Sequence, residues 1–342
     1  MESVMRPLQL TQLDTLPDDI QTATPASLHD ILPGPTLLHL PGKQRQPLFI
    51  SILLHGNEPT GFHALQRLLR KYRDRQLPRS LSIFFGNIEA AAQGLRRLNG
   101  QPDYNRIWPG TEFPDSPETR LTREIVAIMQ HRQVFASIDI HNNTGLNPHY
   151  ACVNRLDHQF LQLASLFGRM IVYFIHPKGV QSAAFAELCP AVTLECGRPG
   201  QEYGVDHALQ FLDSCLHLTE LRDHCVAAQD MDVYHTVAQV SIREGIAFSF
   251  TDPQADFLLD RDLERMNFTE IPAGTPLGKI NGSGNFPVLA RDDCGSDITG
   301  QFFTIQDNEL CVKRKTMPSM LTLDERVIRQ DCLCYLMERI QP

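Results

Sequence analysis

Short apolar runs recur at residues 48–54, 81–85, 134–140, 170–175 and 191–194, with amphipathic stretches between several of them. Phe62, Leu65, Leu68, Leu69 and Tyr72 repeat at helical spacing. So do Leu121, Ile125, Ile128 and Met129, and later Val205, Leu209, Leu212 and Leu216. Runs of four to seven apolar residues are too short for independent helices and read as strands buried on both faces. Strands alternating with one-sided helices leave few options, because each helix must cover a sheet face. The pattern predicts an α/β domain around a mostly parallel or mixed sheet, reaching to about residue 230. Residues 1–45, punctuated by Pro25, Pro33, Gly34, Pro35, Pro41 and Gly42, read as a packed lead-in with one short strand at 36–40.

After residue 230 the texture changes. Segments 233–242, 247–250, 269–271, 302–305 and 310–312 are short and β-prone, and turn-rich clusters at 271–276 and 281–285 separate them. A smaller β-rich domain over 231–342 is expected.

Composition narrows the function class. The 342 residues carry a formal charge of −9, with 42 % hydrophobic and 21 % charged residues. That describes an ordinary globular chain, and the negative balance argues against nucleic acid or an anionic membrane as partner. The start of the chain shows no basic segment leading into an apolar one, and no run approaches the length of a membrane span. The nine cysteines are scattered without a CxxC pair, which suits reduced thiols and a cytoplasmic setting better than a disulfide framework.

Three of the apolar runs deliver ionisable residues at their ends. Run 48–54 leads into His55-Gly56-Asn57-Glu58-Pro59-Thr60-Gly61, run 134–140 leads into His141, and run 191–194 leads into Glu195. In an open α/β sheet the carboxyl ends of parallel strands share one edge, where ligand sites collect. HxxE alone arises by chance in many chains. Two histidines and a glutamate converging on one sheet edge form the three-ligand set of a catalytic zinc site, with the fourth position left to water. A second glutamate nearby is what such a site needs as a base. Arg96 and Arg97, followed by Asp103-Tyr104-Asn105-Arg106, add guanidinium groups suited to a carboxylate or an oxyanion. Asp139, two residues before His141, is placed to orient an imidazole.

Taken in order, HGNE (55–58), GN (86–87), Gly94-x-Arg96, DYNR (103–106), DIH (139–141) and TLECG (193–197) resemble the succinylglutamate desuccinylase/aspartoacylase family, which is related to zinc carboxypeptidases of the carboxypeptidase A type. The motifs span about residues 48–200. The resemblance implies a three-layer α/β/α zinc-carboxypeptidase-like domain over 1–230, built on a mixed sheet, with a small C-terminal β-rich domain over 231–342. It implies one zinc ion per chain held by His55, Glu58 and His141, with Glu195 as the catalytic glutamate and Arg96 polarising the carbonyl. Asn105 and Arg106, with Arg97 beside them, take the substrate-binding positions.

The chain departs from the family in three places. Glycines or small residues often precede the first histidine in relatives, where this chain reads Leu53-Leu54. About two extra residues lie between Arg96 and Asn105 relative to aspartoacylase, and an elaborate loop, 142–150, follows the third ligand. The implied activity is amide hydrolysis of a small carboxylate-bearing substrate, an N-acyl amino acid. A carboxypeptidase acting on short peptides and a zinc-binding protein without turnover are the competing readings. A homo-oligomer is compatible with all of them.

Overall fold

Strands β3 (Gly42–Ile52), β5 (Ala136–His141) and β8 (Ala191–Glu195) lie side by side and parallel at the centre of a mixed sheet. Their buried residues, among them Leu48, Phe49, Ile50, Ile138, Ile140, Val192 and Leu194, account for the near-continuous apolar character of these runs. The computed structural model describes residues 8–281 and 285–341. Its contacts divide the chain into two compact units. One comprises the described residues up to Asn142 together with His149–Asp232; the other comprises Asn143–Pro148 and the chain from Val233 onwards.

In the first unit the remaining strands are β1 (Thr11–Leu13), β2 (Thr36–Leu40), β4 (Leu77–Phe85), β6 (Tyr150–Val153) and β7 (Met170–Tyr173). The order across the sheet is β1-β2-β4-β3-β5-β8-β6-β7. β2 runs antiparallel to β4, and β6 antiparallel to β8; the other pairs are parallel. This is the mixed α/β architecture expected. β1 and β2 show that the stretch 1–45 is part of the sheet rather than only a lead-in to it. β6 lies at the end of a segment read from sequence as loop.

The helices of this unit are α1 (Leu28–Ile31), α2 (Thr60–Lys71), α3 (Ile88–Ala92), α4 (Pro117–His131), α5 (His158–Ser165), α6 (Gln181–Phe185) and α7 (Glu202–His217). α4 starts as its sequence dictates. Ser116 accepts from the Thr119 N–H, Thr119 caps back onto Ser116, and Pro117 takes the first turn, where no donor is needed. α2 and α7 are joined by Tyr72 and Lys71, both on Asp213 at 2.7 Å. Behind them Arg79 is 1 % exposed and, among the described residues, forms no ion pair with a carboxylate. It donates to the Gln46 carbonyl at 2.9 Å and to the Leu218 carbonyl at the end of α7 at 2.8 Å, with its guanidinium 3.5 Å from the Phe135 ring centre.

The second unit is β-rich, as its texture predicts. β9 (Asp232–Ile242) pairs antiparallel with β17 (Cys334–Ile340) and with β13 (Val288–Arg291), and β17 pairs with β16 (Met317–Ser319). A second sheet runs β10 (Phe248–Ser249), β11 (Phe257–Leu259), β12 (Pro276–Ile280), β15 (Glu309–Val312), β14 (Phe303–Gln306). Val240, Phe257, Leu263, Val288, Leu310 and Leu333 are among the residues of its core. The expected strand at 269–271 is absent: Ile271 makes only a single bridge to Thr316, next to Phe268 at φ 54°. The turn cluster at 281–285 falls largely outside the described residues. All nine cysteines are free thiols. Among the described residues no helix is long and apolar enough to cross a membrane.

Candidate active site

β3, β5 and β8 end at the same edge, and the side chains singled out from sequence meet there. The turn after β3 lies flat on the backbone of α3. A Cβ on Gly56 would stand 2.2 Å from the Ala91 nitrogen and 2.3 Å from the Ala90 carbonyl carbon, so only glycine fits. Its N–H donates to the Arg96 carbonyl at 3.2 Å, tying the HxxE turn to the arginine segment. Just before it, Leu53 holds φ 56°. Leucine here takes the left-handed conformation that glycine favours. Its fully buried side chain offsets a backbone cost of about 1–2 kcal/mol.

His55, Glu58 and His141 are all buried and bring one ligand atom each to within 4.8 Å of one another. Glu58 bridges the two imidazoles, with Oε1 at 2.9 Å from His55 Nδ1 and Oε2 at 2.8 Å from His141 Nδ1. The two Nδ1 atoms are 3.2 Å apart. Ligand atoms of a tetrahedral zinc with bonds of 2.0–2.1 Å stand about 3.3 Å apart. The separation and the donor set, two imidazole nitrogens and a carboxylate, therefore fit a divalent metal of the zinc kind.

The far nitrogens of both rings are held by carboxylates. His141 Nε2 lies 2.6 Å from Asp139 Oδ2, which alternation along β5 puts on the same strand face; Asp139 also accepts from Ser51 Oγ at 2.6 Å. His55 Nε2 lies 2.9 Å from Asp103 Oδ1. Carboxylates in these positions fix ring orientation and aim Nδ1 at the cluster.

Charges in the cluster answer one another. Burial opposes a charged imidazole at His55, and Arg96 adds to that, yet the Glu58 and Asp103 carboxylates prevail and raise its pKa. At His141 burial is overcome by Asp139 and Glu58, which hold the ring well above its ordinary value. Burial alone would push the Glu58 carboxyl up; His55 and His141 keep it well below the usual carboxylate range. Asp103, also buried against its preference, is held low by His55 and Arg96.

Arg96 donates to Asp103 Oδ2 through Nη2 at 2.9 Å and Nε at 3.2 Å, and its Nη1 stands 3.6 Å from Glu58 Oε1. Asn105 is locked on both sides: its N–H donates to Asp103 Oδ1 at 2.8 Å and its Oδ1 accepts from the Gln181 N–H at 2.9 Å. Its Nδ2 lies 3.3 Å from His141 Nε2. Arg106 donates to the Asn105 carbonyl at 2.8 Å and lies close enough to Asp103 to help hold that carboxyl low. Arg97 donates to the Gln101 carbonyl at 3.3 Å. Glu195, 9 % exposed, ends β8 directly opposite His141, and the Cys196 N–H donates to the His141 carbonyl at 3.0 Å. Sequence reasoning missed Asp103. Its place in the DYNR motif beside two assigned residues was a signal; that it serves both His55 and Arg96 shows only in three dimensions.

Comparison with known proteins bears on this edge. The model of the succinylglutamate desuccinylase/aspartoacylase catalytic domain matches residues 45–221. Among solved structures, the succinylglutamate desuccinylase of Chromobacterium violaceum is similar in fold, with a TM-score of 0.57 at 16 % identity, covering 87 % of this chain and 86 % of that one. Murine aminoacylase 3 is similar with a TM-score of 0.57 at 15 % identity, covering 87 % and 96 %. The product-bound ectoine utilization protein of Ruegeria pomeroyi gives 0.55 at 13 % identity, covering 89 % and 88 %. No curated protein sequence matches the chain.

Proposed function

Because the chain belongs to the succinylglutamate desuccinylase/aspartoacylase family, a family of amidohydrolases, we propose that it is a zinc-dependent hydrolase of N-acyl amino acids. The observation that carries this reading is the buried His55–Glu58–His141 cluster, with Glu195 in register beside it. A binding protein would have no need of that second glutamate.

His55 Nδ1, Glu58 and His141 Nδ1 hold the metal in this account. A bound zinc ion supplies Lewis-acid chemistry, making water acidic near neutrality and polarising the scissile carbonyl. Glu195 takes the proton from water as its oxygen bonds to the carbonyl carbon. It then delivers that proton to the leaving nitrogen, so the C–N bond breaks to release a carboxylic acid and an amine, which separate near neutral pH as carboxylate and ammonium. Arg96, aimed by Asp103, meets the negative charge that develops on the carbonyl oxygen. Asn105 and Arg106, with Arg97 behind them, bind the substrate carboxylate.

The test is amine release from a panel of N-succinyl, N-acetyl and N-formyl amino acids by zinc-loaded protein, with and without chelator, beside a panel of short peptides. Chelator-sensitive release from N-acyl amino acids, restored by added zinc, is expected. Turnover of peptides alone would make the protein a carboxypeptidase. Bound zinc without any turnover would make it a binding protein, and failure to retain zinc would remove the basis of the proposal.

A further inference from the structure

We propose that Asn142 is a positioning residue that braces the turn carrying Glu58 against the turn following Glu195, setting the separation of the metal cluster and the base; this rests on the reading of the site given above.

The sheet itself does not fix that separation. β3 and β8 each pair with β5 and not with each other, so their ends stand two strand spacings apart, about 10 Å, with β5 between them. The chain leaves the ladder after Ile52 on one side and after the Cys196 N–H, which still donates to the His141 carbonyl, on the other; among the described residues no backbone hydrogen bond joins the two turns. Asn142 is the first residue past the central strand. It is 4 % exposed, and its main-chain N–H and side-chain amide are directed to the two sides.

Towards the first turn its main-chain N–H donates to Glu58 Oε2 at 3.2 Å, its Oδ1 accepts from the Thr60 N–H at 3.2 Å, and its Nδ2 donates to Thr60 Oγ1 at 2.9 Å. Towards the other turn the same Nδ2 donates to the Gly197 carbonyl at 2.8 Å. The Gly197 turn has little room to yield, since a Cβ there would stand 3.0 Å from His149 Nε2 and its φ is 72°. One amide thus serves as acceptor for the first donor of α2 and as donor to both turns. Aspartate has the same shape but lacks both N–H groups and would place a second carboxylate beside Glu58. Alanine keeps only the main-chain N–H on Glu58 and loses the contacts to Thr60 and Gly197.

Proton transfer between a base and an attacking water tolerates little displacement; a shift of about 1 Å costs on the order of 100-fold in rate. Loosening this brace should therefore lower kcat while leaving substrate capture by Asn105 and Arg106 in place.

The experiment uses full-length zinc-loaded protein as wild type, Asn142→Ala and the isosteric Asn142→Asp, which guards against simple loss of fold. Three quantities are read: zinc per chain, kcat and KM on the best substrate of the panel, and amide hydrogen exchange at Thr60 and across residues 196–201. Expected are unchanged zinc content, a kcat lower by roughly 10–100-fold with KM within about threefold, and faster exchange in both turns. Exchange that stays at the wild-type level in both turns overturns the brace, whether or not a substrate has been found. Wild-type kcat in variants whose turns have loosened overturns its link to turnover. If wild-type protein hydrolyses nothing, the functional reading fails while exchange still decides the brace.

Discussion

Replacing Asp103 with asparagine isolates the contact on which both the metal cluster and Arg96 depend. The carboxylate accepts from four donors: His55 Nε2 at 2.9 Å, the Asn105 N–H at 2.8 Å, and Arg96 Nη2 and Nε at 2.9 and 3.2 Å. Asparagine keeps the shape but offers one acceptor oxygen. Oδ1 can still serve His55 and the Asn105 N–H, while the new NH2 group faces the Arg96 donors and meets no acceptor. His55 also loses the negative charge that raises its basicity, and with it electron density at Nδ1. Loss of a partner to a metal-ligating histidine typically weakens metal binding about 10–100-fold, or about 1.4–2.7 kcal/mol. Competition for zinc against a chromophoric chelator measures this directly, with Asp115→Asn as the control, since that carboxylate only pairs with exposed Arg120 and Arg123. Zinc affinity within twofold of wild type in Asp103→Asn would refute the assignment.

Three further outcomes follow from the packing. Gly56→Ala drives a methyl into the Ala90–Ala91 backbone and should abolish zinc retention while the chain stays folded by circular dichroism; wild-type zinc content would show that the turn can shift freely. Arg79→Met strips three carbonyl and amide acceptors, Gln46, Gln44 and Leu218, of their buried donor and should lower stability by roughly 2–4 kcal/mol in urea denaturation; no change would mean water replaces the guanidinium. His39 is buried, and burial first, then Arg132, lowers its pKa to about 4. The unfolded chain takes up this proton near pH 6.5 and the folded chain only near 4, so acidification through that window favours unfolding. The lost stability is on the order of 3 kcal/mol, fully present above pH 6.5 and with no further loss from this group below about 4. A His39→Gln variant should show a flatter stability profile between those values, and an identical slope would contradict the burial argument.

The sequence made the site more legible than the fold around it, for physical reasons. Strands buried on both faces announce themselves as apolar runs, and a charged residue at the end of such a run has few places to go, so His55, His141 and Glu195 were readable one strand at a time. β6 was not: Tyr150–Val153 is four residues long and follows directly on the loop 142–149. β12 begins at Pro276, the last residue of the stretch 271–276 read as turn, and contains Gly278. Gly278 is there because a Cβ would stand 2.5 Å from the Leu258 carbonyl oxygen, and Pro276 sits at the strand's first position, beside a register shift. The left-handed backbone at Leu53 was hidden for the opposite reason, because a leucine holds an angle that glycine would have advertised. Asp103 and Asn142 act on partners 48 and 55 residues away, on His55 and Gly197, and no local pattern encodes such reach.

The central claim is that Glu195 moves the proton at a zinc site built from His55, Glu58 and His141. The most direct measurement is the hydrolysis rate of zinc-loaded Glu195→Gln on a substrate that wild-type protein cleaves. The account predicts one zinc per chain in the variant, as in wild type, and a rate lower by roughly 100- to 10,000-fold. A variant that holds zinc and turns over at the wild-type rate would contradict it.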